Sequence, residues 1–131
     1  MSLALLAAGT AAFAQQEQLT PEQKERQLYE KIQEQVDQFA NTLGLEDWQV
    51  FYADSILTHD FGAMAAEFEQ QAKQKVSDGS VYQYIQDKWS ESTYQAFKKI
   101  LTPEQWTKYL KTGARQAKKA RDKRAAKSKQ L

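Results

Sequence analysis

The chain has no cysteine, one histidine, two prolines and five glycines in 131 residues. Without cysteine there is no disulfide framework, no thiolate metal site and no thiol nucleophile. A lone His59 cannot build a histidine metal cluster, and it leaves a His-paired serine as the only triad option. Two methionines and no thiol leave carboxylates as metal ligands, and these lack the loop spacing of a calcium site, so neither a metal nor a cofactor is expected. So few prolines and glycines cannot supply the turns of an all-β sandwich. G-x-S-x-G, the P-loop and the glycine-rich dinucleotide turn are absent as well. No apolar run reaches the roughly 20 residues of a spanning helix.

What is present favours helix. Hydrophobic residues make up 41% of the chain and aromatic residues 11%, enough for one modest core. Gln, Glu, Lys and Ala are abundant, and all are good helix formers. The expected fold is all-α, with four or five amphipathic helices in a bundle or cradle. Residues 1–14 carry no charge, hold an apolar run and end in Ala12-Phe13-Ala14 before Gln15. That pattern reads as a secretory signal peptide, although no basic residue precedes the run. Export to the periplasm is expected, with residues 15–114 as a single helical domain and 115–131 as a basic C-terminal tail. Residues 111–131 hold nine Lys or Arg against one acid, Asp122, for +8, whereas residues 15–110 carry −7. After Ala114 the apolar positions shrink to alanine, so this tail is expected to lack an anchor and to be mobile.

Helix starts are expected near Pro21, Glu46, Val81 and Pro103. Thr20-Pro21-Glu22-Gln23 offers an N-cap, a proline at the first helical position and a capping-box glutamine. Thr102-Pro103-Glu104-Gln105 repeats it, and Ser80 with Gln83 reads as a third box. Leu28, Ile32, Val36, Phe39 and Leu43 follow a helical period that Gly44 is placed to end. Trp48, Phe51, Tyr52, Ile56 or Leu57, Phe61, Met64, Phe68 and Ala72 continue an apolar stripe; Thr58–Gly62 offers a place for a break or kink, so residues 45–76 read as either one helix or two. His59-Asp60 has the composition of a proton relay, but neighbours on a helix point apart, so an exposed polar turn is expected there. The chain reads as a binding protein and not an enzyme.

The stretch Lys99-Ile100-Leu101-Thr102-Pro103-Glu104-Gln105-Trp106 resembles the LTxxQ motif of the Spy/CpxP family of periplasmic proteins, which carry two such motifs. The second motif maps to Leu101, Thr102 and Gln105. The first has two candidates: Leu19-Thr20-Pro21-Glu22-Gln23, which matches the letters, and Leu45 to Gln49, which matches the context but has Glu46 in place of threonine. The chain lacks the Met- and His-rich segments of some relatives and is richer in aromatics. The resemblance implies an all-α homodimeric cradle acting as an ATP-independent chaperone or envelope-stress adaptor. Unfolded envelope proteins would be gripped at a basic rim of Lys98, Lys99, Lys108, Lys111, Arg115, Lys118 and Lys119. The alternative is a scaffold protein that holds one specific envelope partner through its basic tail. Nucleic acid is not expected as a partner, since no aromatic interleaves the basic run. Weak electrostatic contact with an anionic membrane surface is a further expectation.

Overall fold

The computed structural model describes residues 19–129, and among them every regular element is helical. The elements are α1 (Pro21–Leu43), α2 (Asp47–Lys73), α3 (Gly79–Ile100), α4 (Pro103–Tyr109), a π-helical turn (Leu110–Ala114) and α5 (Arg115–Lys129). The fold is therefore all-α, with helix starts close to those read from the sequence. None of these helices is long and apolar enough to cross a membrane. Residues 1–14, read as a signal peptide, lie outside the described residues.

Two compact units divide at Lys31/Ile32, inside α1. In the first, the predicted box opens the helix: the Thr20 N–H donates to Gln23 Oε1 at 3.0 Å and the Gln23 N–H to Thr20 Oγ1 at 3.1 Å. The second unit holds the core. Ile32, Val36 and Leu43 from α1, Ala53 and Leu57 from α2, Ile85 and Phe97 from α3, and Tyr109 from α4 are buried. An aromatic cluster joins them. Phe39 meets Phe97 edge-on at 5.2 Å, Phe97 meets Tyr109 at 5.3 Å, and Tyr94 meets Trp106 at 4.9 Å. Each large side chain so buried contributes about 1.5–3 kcal/mol.

Local chemistry sets the helix ends. Gly44 adopts φ 65° and the Leu45 N–H closes back on the Ala40 carbonyl at 3.1 Å, a glycine-terminated helix end. α2 ends in the same way on Lys75, at φ 58°, with the Val76 N–H bound to the Gln71 carbonyl at 3.0 Å. Asp78, not Ser80, caps α3: its Oδ1 accepts from the Ser80 N–H at 3.0 Å, and Gln83 instead bonds Asp87. The expected Ser80/Gln83 box is thus corrected, because an Asp two residues upstream reaches the free N–H groups first.

One open question closes and one expectation changes. α2 runs unbroken through Thr58–Gly62, because Thr58 bonds Asp54 Oδ1 at 3.1 Å instead of capping a new helix. The basic tail is a docked helix in the same compact unit as residues 32–114. Its anchors are charges. Arg124 pairs with Asp87 at 2.7 Å, while Arg121 and Lys118 reach Glu91 at 3.1 and 2.9 Å. Gly113, at φ 104° in the π turn, redirects the chain between α4 and α5.

Candidate functional site

α2 and α4 start side by side, and one glutamine from each closes the junction. At α4, Thr102 Oγ1 accepts from the Gln105 N–H at 3.2 Å, while Gln105 Oε1 accepts from the Thr102 N–H at 3.0 Å. At α2, Gln49 Oε1 accepts the Glu46 N–H at 2.9 Å, and the Glu46 carboxylate takes the Trp48 indole N–H at 2.8 Å. The two amides then bond each other in both directions. Gln49 Nε2 donates to Gln105 Oε1 at 2.6 Å, and Gln105 Nε2 to Gln49 Oε1 at 3.0 Å. The remaining amide protons go to the Ile100 and Gly44 carbonyls at 2.9 and 3.2 Å.

Every donor and acceptor of both side chains is therefore used, as a buried amide requires. The pattern repeats about a local pseudo-two-fold: Gly44 stands two residues before Glu46 as Ile100 stands two before Thr102. Gln49 is 1% exposed and Gln105 9%. The Leu45–Gln49 stretch thus meets Leu101–Gln105.

This inward glutamine rotates α2. Its buried line is Gln49, Ala53, Leu57 and Asp60. The stripe that the apolar spacing assigned to the core therefore opens outward at its start, with Trp48, Phe51 and Tyr52 at 49%, 68% and 50% exposed. Tyr52 stands edge-on to both Trp48 and Phe51, at 6.1 and 5.7 Å between ring centroids. Three neighbouring aromatics are thus left exposed together at the start of α2.

Asp60 corrects the reading of His59-Asp60 as an exposed turn. It lies mid-helix and is 3% exposed, accepting Thr93 Oγ1 at 2.8 Å, Ser92 Oγ at 3.1 Å and His59 Nδ1 at 2.9 Å. The His59 side chain stays largely exposed yet reaches the neighbouring buried carboxylate through Nδ1, which the opposed directions of neighbouring residues did not foresee. Ser92 donates to the aspartate and not to the imidazole, so the set lacks the serine–histidine contact of a triad. Among the described residues, no three His, Asp or Glu side chains gather as metal ligands.

The seven candidate cations separate. Lys98 and Lys99 are exposed in the last turn of α3, Lys108 on α4, Lys111 in the π turn, and Arg115 and Lys119 on α5. Lys118 turns inward to Glu91 and Asp122, at 2.9 and 3.0 Å. Arg121 and Arg124, not among the candidates, complete the inner row, and Arg121 is 8% exposed beside the Tyr94 ring. The missed signal was spacing: cations at 118, 121 and 124 face carboxylates at 87 and 91. Arg124 holds the Asp87 carboxyl below its ordinary range. Burial pushes Glu91 up, but hydrogen bonds from Gln95, Lys118 and Arg121 outweigh it and bring it down. Beneath α5 lies a cleft of about 160 Å³ walled by Phe39, Phe61, Tyr94 and Tyr109. Burial raises the Tyr109 phenol to about 12, so it stays neutral beside Arg121.

Compared with protein-family models, with curated proteins and with solved structures, the chain matches none.

Proposed function

We propose that this is an exported, periplasmic, non-enzymatic binding protein that grips exposed apolar segments of unfolded envelope proteins, a chaperone-like or stress-adaptor role of the Spy/CpxP type. The exposed trio Trp48, Phe51 and Tyr52 carries this reading. The Gln49–Gln105 pair beneath it supports the reading by holding the aromatic turn rigid, which lowers the entropy lost when a client binds. The likeness of Leu45, Gln49, Leu101, Thr102 and Gln105 to a twin LTxxQ arrangement, and the signal-peptide pattern of residues 1–14, point the same way. A homodimer belongs to the same proposal.

The test is light scattering of an unrelated unfolding client. The unmutated chain should suppress aggregation at near-stoichiometric ratio, and Trp48→Ser/Phe51→Ser/Tyr52→Ser should lose most of that effect while keeping its melting temperature. Absence of suppression at both low and moderate salt overturns the reading.

A second reading, a scaffold protein holding one specific envelope partner through the basic C-terminal helix, is favoured by a separate observation. Arg115 and Lys119 remain exposed while Lys118, Arg121 and Arg124 are engaged within the molecule. Truncation at residue 114 should then abolish partner capture and spare the aggregation assay.

A further inference from the structure

The C-terminal helix has two unlike faces. Its inner cations, Lys118, Arg121 and Arg124, are paired with Asp87 and Glu91. Arg115, Lys119, Lys123 and Lys127 recur every four residues, and at about 100° per residue they project opposite Arg121. All four are exposed, and none makes an ion pair among the described residues. The row is about 18 Å long and winds through about 120° of the helix surface. Like charges four apart weaken a helix, and among the described residues none of these four cations is paired with an acid. Alanine is the only apolar residue type in α5, so nothing on it would insert into hydrocarbon.

We propose that this outer row is a docking face for the surface of an anionic lipid bilayer, with Asp87 and Glu91 holding α5 so that the row is presented. Charge complementarity selects the partner. Residues 111–131 carry +8 and residues 15–110 carry −7, so an anionic plane attracts the helix and repels the remainder. With no aromatic side chain on α5 to stack on bases, a charged lipid surface fits the row better than a nucleic acid does. The inference stands on α5 alone and does not depend on client binding by the aromatic face.

Sedimentation of the full chain with vesicles tests it. The protein should partition onto phosphatidylcholine vesicles containing a minority of phosphatidylglycerol, and not onto pure phosphatidylcholine. Partition should vanish near 1 M salt, where charges are screened within about 3 Å. Two equal-charge variants separate face from net charge. Lys119→Gln/Lys123→Gln should weaken partition by about fivefold per lysine, and Lys98→Gln/Lys99→Gln, exposed at the end of α3, much less. Four results overturn the proposal: equal loss in both variants, partition onto pure phosphatidylcholine, displacement by inorganic phosphate at matched concentration, or tighter binding to a DNA duplex at the same salt. The last three results are read on the unmutated chain, so they hold even where a variant unfolds.

Discussion

At the residue scale the structure turns on two side-chain amides. Gln49 and Gln105 lie 56 positions apart, and each satisfies two backbone groups as well as the other glutamine. Truncating either leaves buried donors and acceptors unmatched on both helix starts. Gln105→Ala should therefore destabilise the chain by about 2–4 kcal/mol, a fall in melting temperature of roughly 10 °C. Gln49→Ala should do the same, and the double variant should cost less than the sum by at least about 1 kcal/mol. Thermal melts of the four chains check this, and additive effects would show that the amides act separately. The sequence disclosed the half of this arrangement that is local, since Thr102 and Gln105 stand three residues apart. The other half depends on α2 and α4 meeting, which no spacing along the chain encodes. Asp60 is similar: its partners Ser92 and Thr93 lie over 30 residues away, so its burial was invisible beforehand.

At the element scale, helix starts were legible where a short polar side chain precedes a proline, as at Thr20 and Thr102. They were misread at Ser80, where Asp78 competes for the same N–H groups. Whether α2 breaks was open, because Thr58 can either cap a helix or bond back to Asp54, whereas the docked α5 was missed because its partners stand on α3. α5 in particular has almost no apolar side chain, and charge pairs replace hydrophobic anchoring. Such docking is screened by salt and sensitive to acid. Asp87 and Glu91 sit below their ordinary values of 3.8 and 4.5 when α5 is docked, so they bind protons less readily docked than free. Their contribution is complete above that range and is lost as pH falls through the lowered values. Amide hydrogen exchange should show α5 protected at neutral pH and low salt. Protection should drop on the order of tenfold in high salt or below about pH 4, ahead of the α2–α3 core. Asp87→Arg should undock the helix at neutral pH, and adding Arg124→Asp should restore it. Protection indifferent to salt, acid and Asp87→Arg would mean that packing holds α5.

At the scale of the whole molecule, amphipathic spacing and composition were enough for the all-α class. They were not enough for the surface, because the same spacing that marks a core helix also describes an aromatic stripe turned outward. The first turn of α2 shows the difference. Gln49 occupies the inward position that Trp48 or Phe51 would be assigned on hydrophobicity alone. An exposed apolar face is thus concealed in a sequence read for cores, and burial alone reveals it. The central claim is that this face is where clients bind, and one measurement addresses it directly. Backbone amide shifts of the isotope-labelled protein are followed by NMR while a permanently unfolded client is added. The largest changes are predicted at Trp48, Phe51, Tyr52 and their neighbours Val50 and Ser55, with Asp60, Ser92 and Thr93 unmoved. Changes centred on that buried aspartate or on α5, or no changes at saturating client, would contradict the account.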